Sequence, residues 1–270
     1  MEEIYLDNSA TTRVCEKSAE KVLELMTQCY GNPSSLHKKG LEAQREVAHA
    51  RQAVAVSLGA QPREIIFTSG GTEANNLAVL GGAAAGRRRG KRIVTTAIEH
   101  PSVLEPMRQL EKEGFEVVFL TPDADGRVPE EAVLKAVTGD TILISVMAVN
   151  NELGSIQPIE VLKKAVKRAG APALVHVDGV QAYGKLPLRP EKLGIDLLTV
   201  SGHKIHGPKG VGALYVSKNA RILPRTFGGG QERELRPGTE AAPLIAGLGA
   251  AAEELPDWRQ AYSLSLIHIS

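Results

Sequence analysis

The stretch Ser201-Gly-His-Lys-Ile-His-Gly-Pro-Lys-Gly210 lies between two short apolar runs, Ile195-Asp-Leu-Leu-Thr-Val200 and Val211-Gly-Ala-Leu-Tyr-Val216. Both runs have the length and composition of buried strands, so Lys204 is expected on a tight turn at a strand end. A lysine held partly out of water has an accessible neutral amine, which can form a Schiff base with a carbonyl cofactor. Lysine is seldom buried, so an exposed hairpin-loop lysine is the plain alternative. Ser201 and Lys204 also have the S-x-x-K spacing of serine acyl-enzymes, but the chain contains neither S-D-N nor K-T-G, the partners that signature needs. His203 and His206 offer two metal-binding side chains with no third ligand near them in sequence.

Other chemistry-bearing residues fall at equivalent places. Ser69-Gly-Gly-Thr-Glu-Ala-Asn-Asn76 follows a strand-like run and opens a helix. Free backbone N–H groups and the helix dipole there favour a phosphate at Gly71 and Thr72. The stretch lacks the Gly-Lys-Ser/Thr of a P-loop and the G-x-G-x-x-G of a dinucleotide site, and an ordinary strand-to-helix turn remains the alternative. Asp178 ends the run His176-Val-Asp-Gly-Val-Gln181. A carboxylate in that place can keep a ring nitrogen protonated, or simply cap a helix. His100, before Pro101, can stack on a flat ring, shuttle a proton, or cap the helix that follows.

The elements that position these residues alternate. Residues 64–68, 92–97, 115–120, 141–146 and 173–177 read as strands, separated by helical patterns beginning at 69, 101, 129 and 158. Upstream, residues 4–12 read as a short strand running into a polar turn, and 17–29 and 41–58 as helices. The alternation predicts an α/β fold with a mostly parallel central sheet and helices on both faces. Ligands bind such sheets beyond the carboxyl ends of the strands. Gly71, Thr72, His100, Asn151, Asp178, Gln181, Ser201, His203 and Lys204 all fall there. A lysine for an aldehyde, a carboxylate for a ring nitrogen, a flat group for a ring face and a phosphate cradle together are what pyridoxal 5'-phosphate (PLP) requires.

Composition narrows the field. The 270 residues carry a net charge of +1, so no general attraction to nucleic acid or membrane is expected. The basic run Arg87-Arg-Arg-Gly-Lys-Arg92 reads as a solvated loop before a strand. Two cysteines, Cys15 and Cys29, are too few for a disulfide framework, and a reducing, cytoplasmic location is expected. No apolar run reaches the roughly 18 residues that a membrane span needs.

The motifs together resemble the cysteine desulfurases, a branch of the class V aminotransferase group of fold-type I PLP enzymes. The resemblance rests on Tyr5-Leu-Asp-Asn-Ser-Ala-Thr-Thr12, Tyr30-Gly-Asn-Pro-Ser-Ser35, Phe67-Thr-Ser-Gly-Gly-Thr-Glu-Ala-Asn-Asn76 and Glu99-His100. It extends through Val149-Asn-Asn-Glu-Leu-Gly154, His176-Val-Asp178, Ser201-Gly-His-Lys204 and residues 228–239. It implies an aspartate-aminotransferase-like large domain and a homodimer. Lys204 would hold PLP and move protons, Asp178 would pair with the ring nitrogen, and Gln181 would reach the ring hydroxyl. His100 would stack on the ring and act as acid and base. Gly71, Thr72, Ser201 and His203 would hold the phosphate, with Thr239 supplied by the other subunit, and Asn151 would lie beside the ring and the substrate carboxylate. The implied reaction converts L-cysteine to L-alanine and leaves sulfur on an enzyme cysteine, for iron–sulfur scaffold or tRNA-thiolation acceptors. Selenocysteine lyases and aminotransferases of the same group, and an inert PLP-binding or dimerising protein, are the alternative readings.

Two expectations concern what departs from that pattern. Family members run on past the matching stretch, with the persulfide cysteine on a mobile loop and an arginine for the substrate carboxylate; Cys15 and Cys29 match neither position. The chain is therefore expected to be a C-terminally truncated, inactive fragment: an N-terminal segment 1–14, a PLP-binding domain 15–255, and the start of a C-terminal part at 256–263. The last residues, Leu264-Ser-Leu-Ile-His-Ile-Ser270, read as a translated sequencing-library adaptor and are expected to be non-native.

Overall fold

The structure is a computed structural model that describes residues 4–256. The expected tail at 264–270, and all of 256–263 except Pro256, lie outside the described residues. The strands are β1 (Ile65–Thr68), β2 (Arg92–Thr96), β3 (Glu116–Leu120), β4 (Thr141–Met147), β5 (Leu174–Asp178), β6 (Leu197–Ser201) and β7 (Gly212–Val216). They form one sheet in the order β1-β7-β6-β5-β4-β2-β3. All neighbouring pairs from β6 to β3 are parallel, and β7 runs antiparallel to both β6 and β1. The antiparallel strand follows from the short β6–β7 connection, since parallel strands need a long crossover. The turn that carries Lys204 is that connection.

The helices are α1 (Glu16–Thr27), α2 (Lys38–Leu58), α3 (Gly71–Gly86), α4 (Pro101–Lys112), α5 (Glu130–Ala136), α6 (Glu160–Ala169), α7 (Pro190–Leu193) and α8 (Ala242–Glu253). Successive strand residues point to opposite faces, and the core divides accordingly. Ile66, Ile93, Leu143, Leu197 and Leu214 pack with α3 and α4 on one face. Phe67, Val94, Ile144, Leu198 and Tyr215 pack with α2, α5, α6 and α8 on the other. Helices on both faces are thus as the alternation predicts. Among the described residues no helix is long and apolar enough to cross a membrane.

Two departures have physical reasons. Residues 4–12 form no strand; they are irregular with a turn at Asn8–Ala10, and their polar groups bond to the β6–β7 turn instead of to a strand edge. Helix α8 is absent from the sequence reading because its Ala- and Gly-rich face shows little periodicity. It packs so closely on α2 that a Cβ on Gly249 would stand 2.5 Å from Ala50 Cα.

Residues 228–239 are tied down by ions. Arg51 donates to both carboxylate oxygens of buried Glu232, at 2.6 and 2.7 Å, and to the Ile65 carbonyl at 2.8 Å. Glu232 Oε2 also accepts from Phe67 N–H at 3.0 Å. Glu232, Arg233 and Glu234 all have positive φ, between 45° and 63°, a conformation unfavourable for side chains of their size. The ion pair holds that strained turn against β1. Glu232→Ala should lower the unfolding free energy by about 1–3 kcal/mol, because it leaves the buried Phe67 N–H without its acceptor and Arg51 with only Glu240 and the Ile65 carbonyl; urea unfolding monitored by circular dichroism measures it.

Candidate functional site

The carboxyl ends of β4, β5 and β6 and the N-termini of α3 and α4 enclose a cavity of about 480 Å³. Gly71 and Thr72 reach it from α3, and His100 and Ser102 from α4. Asn151 comes from the turn after β4, and Asp178 and Gln181 from the end of β5 and the loop after it. Ser201, His203 and Lys204 line it from the β6–β7 connection, and Ser9 and Ala10 from the N-terminal segment. Nine of the ten site residues read from the sequence therefore share one cavity in this chain. Thr239 is not among the lining residues.

The α3 N-terminus is shaped for close approach. Gly70, its N-cap, has φ 150°, which a residue with a Cβ rarely adopts. A Cβ on Gly71 would lie 2.9 Å from Val180 Cγ2. The first N–H groups of α3 have no intrahelical partners and open onto the cavity that Gly71 and Thr72 line. Glu73 braces the turn from behind, accepting from Ser69 N–H at 2.6 Å and from Arg236 Nε at 2.9 Å. Burial would raise its pKa, but the Arg236 and Ser69 hydrogen bonds outweigh that and hold it below the usual range.

Asp178 is buried at the end of β5. Its oxygens accept from Asn75 Nδ2 at 2.7 Å and from Val180 N–H at 2.9 Å. Burial raises its pKa, opposed by those two donors and by His100 and Lys204. Lys204 Nζ donates to the carbonyls of Ser9 and Ala10, the latter at 2.9 Å. Burial pushes its pKa below the ordinary lysine range, against the pull of Asp7 and Asp178. The exposed-lysine alternative does not describe it: the side chain is half-buried and its amine faces the cavity. His203 Nδ1 pairs with Thr11 Oγ1 at 3.2 Å, while His206 Nδ1 pairs with the Arg13 carbonyl at 2.9 Å, so the two rings serve different contacts. A planar pyridine ring with a phosphate arm matches this donor set: an anion cradle, a buried carboxylate and an amine with a depressed pKa.

Sequence reasoning gave no role to four residues that build the site. Asn75, one helical turn into α3, bridges Asp178 and Ser102. Ser102 bonds His100 Nδ1 at 2.7 Å. The Ser9 carbonyl accepts from Gln181 Nε2 at 2.9 Å as well as from Lys204. Thr12 clips the N-terminal segment to the β6–β7 turn through its N–H to His203 O, 2.9 Å, and its Oγ1 to His206 N–H, 2.8 Å. A helix pattern that puts Asn75 on the sheet-facing side of α3 was the available signal for the first of these. Neither cysteine lines the cavity. Cys15 is the N-cap of α1, and Cys29 lies past its C-terminus, where burial and then Glu46 and Glu42 raise its thiol pKa.

Two further titratable groups lie buried near the cavity. Glu99 accepts from Thr96 Oγ1 and Met147 N–H, and burial raises its pKa to about 8, with Asp178 adding to the rise. His176 sits between Ser145 and Thr199, and burial lowers its pKa to about 3. A carboxyl whose folded pKa is raised holds its proton in the folded state while the unfolded chain releases it. Its stabilisation is complete below pH 4.5 and is lost as pH rises through about 8. His176 acts oppositely, losing stability only below its unfolded pKa of 6.5. Glu99→Gln should therefore flatten the fall in stability between pH 6.5 and about 8 relative to the parent chain, read from urea midpoints across that range.

Comparison with known proteins agrees with this geometry. The aminotransferase class-V family profile matches residues 4–265. The cysteine desulfurase of Trichormus azollae is 46% identical over 269 residues, covering 100% of this chain and 64% of that protein. The cysteine desulfurase IscS of Dictyoglomus turgidum is 46% identical over 251 residues, covering 93% of this chain and 63% of that protein. The chain thus spans a little under two thirds of the length of these curated relatives. Among solved structures, a NifS-like protein superposes with TM-score 0.90 at 45% identity, covering 93% of this chain and 69% of that one. SspA in complex with cysteine superposes with TM-score 0.91 at 39% identity, covering 99% and 77%. The sheet and its helices are those of the fold-type I large domain, and the chain belongs to the aminotransferase class-V family, in its cysteine desulfurase branch.

Proposed function

We propose that this chain holds PLP in the cavity and binds L-cysteine there, as part of a cysteine desulfurase. The observation that carries the reading is the placement of Asp178 and Lys204 on one cavity that also receives the α3 N-terminus. The bound cysteine of the SspA structure supports the substrate class. When bound, PLP supplies an electron sink for the bonds around the substrate α-carbon. The chain's own residues do the rest. N–H groups of Gly71 and Thr72, with Ser201 and His203, hold the phosphate. Asp178 keeps a proton at the ring nitrogen, Gln181 reaches the ring hydroxyl, and the imidazole of His100 covers the ring face. Lys204, already depressed in pKa, takes up and returns a proton at its Nζ. Asn151 orients the substrate carboxylate.

The wider reading is a homodimer in the cytoplasm that lends Thr239 to its partner's phosphate and delivers sulfur to an iron–sulfur scaffold or tRNA-thiolation protein.

The purified chain should turn yellow with PLP, and borohydride should fix the cofactor to the peptide containing Lys204; fixation at any other lysine defeats the assignment. Asp178→Ala should weaken PLP retention by tenfold or more, about 1.4 kcal/mol, measured by equilibrium dialysis.

Desulfuration needs a thiolate to attack the sulfur of the bound substrate, and both cysteines of these 270 residues lie outside the cavity. L-cysteine should therefore change the spectrum of the loaded chain without sustained alanine release beyond that of free PLP. Steady alanine production that disappears in Cys15→Ala or Cys29→Ala would instead identify the acting thiol. Running L-selenocysteine in parallel separates the lyase reading, and a 2-oxo acid acceptor the aminotransferase one.

A further inference from the structure

The hydrogen bonds beneath the cavity run in one direction. Ser102 N–H, a group that can only donate, meets His100 Nδ1 at 3.1 Å. That nitrogen must therefore offer a lone pair, and the neutral ring carries its hydrogen on Nε2. Asn75 Nδ2 is also donor-only, and it meets both Asp178 Oδ2 at 2.7 Å and Ser102 Oγ at 2.8 Å. The opposite amide orientation would set an oxygen against the carboxylate. The observed one is kept even though Asn75 Oδ1 is buried with no protein partner. Ser102 Oγ, accepting from Asn75, has its own hydrogen free for His100 Nδ1, 2.7 Å away.

We infer that Asn75 and Ser102 are positioning residues that lock His100 in its Nε2–H tautomer, so that the ring presents a hydrogen-bond donor to the cavity. The order of cause runs from the Asp178 carboxylate to the Asn75 amide, then to the Ser102 hydroxyl and the His100 ring. Before Nδ1 takes up a proton the Ser102 N–H contact must break and the Ser102 hydroxyl must turn from donor to acceptor. His100 is then unsuited to act as the base, and proton removal from a substrate falls to Lys204. This narrows the acid-and-base role that the family resemblance implies for His100. It concerns the same cavity as the PLP reading but stands without the cofactor.

The test is long-range proton–nitrogen correlation spectroscopy of the 270-residue chain labelled with 15N-histidine, without added PLP and above the pH at which the ring is charged. Seven histidines contribute signals, and His100→Gln identifies the one that matters. The expected result is a His100 ring with a bare Nδ1 and a protonated Nε2. Ser102→Ala keeps the backbone donor but loses the hydroxyl, and should shift the Nδ1 resonance towards the protonated form. Asn75→Ala should shift it in the same direction by less, and Ser102→Thr should restore the parent spectrum. A parent ring protonated at Nδ1 overturns the inference. So does an Nδ1 resonance that stays put in both Ser102→Ala and Asn75→Ala, since the side chains would then set nothing.

Discussion

A carboxylate buried at the end of a central strand governs this molecule. Taking Asp178 out of water costs several kcal/mol unless donors are brought to it, and a parallel strand end supplies few. One comes from the next turn, Val180 N–H. The other comes from α3, whose Asn75 can reach the carboxylate only if the helix lies close on the sheet. The sequence of α3 meets that demand with small residues: a Cβ on Gly86 would stand 2.9 Å from Ile142 Cβ, and one on Gly71 equally close to Val180. The same approach that satisfies Asp178 brings the α3 N-terminus to the cavity. The α3 N-terminus and the buried carboxylate are thus one packing solution.

The opposite wall is built by polar backbone. The β6–β7 connection leaves its own N–H and C=O groups short of ladder partners, and residues 9–12 supply them. Lys204 and Gln181 converge on the Ser9 carbonyl, while Thr12 binds the turn from both sides. A segment distant in sequence closes the cavity because backbone groups at the edge of a buried site must be paired. The residue types Asn8-Ser-Ala-Thr-Thr12 suit that work: small enough to lie against the turn, with hydroxyls where backbone donors run out.

This division decides what could be read from the chain alone. Strands β1 to β7 were legible because their apolar runs are short and bounded, and the residues at their ends because topology sends them to one edge of the sheet. Lys204, Asp178 and Gly71 needed no long-range information beyond that. The helix pattern could place Asn75 towards the sheet, but its partners were not legible: nothing in the local sequence says that an asparagine in α3 will meet both Asp178 at the end of β5 and Ser102 of α4. Residues 4–12 misled for a similar reason. Ile4, Tyr5 and Leu6 have strand-like chemistry, yet they remain exposed, and the polar half of the segment found its partners at a turn. Helix α8 lacked a periodic pattern because its close contacts select alanine and glycine on more than one side.

The buried titratable groups around Asp178 complete the electrostatic argument. His176 lies on the same face of β5, two residues away, and could have supplied a positive charge. Burial between Ser145 and Thr199 keeps it neutral. Glu99 could have added a second negative charge, but burial and the field of Asp178 keep its proton on at neutral pH. Like charges in one low-dielectric region raise each other's pKa, and a protonated Glu99 and a neutral His176 leave Asp178 without a second buried charge beside it. Positive charge to offset Asp178 comes from the cavity side, from Lys204 and from whatever enters. A site with that asymmetry favours a ligand whose nearest atom can hold a proton, and it does so before any residue touches the rest of the ligand.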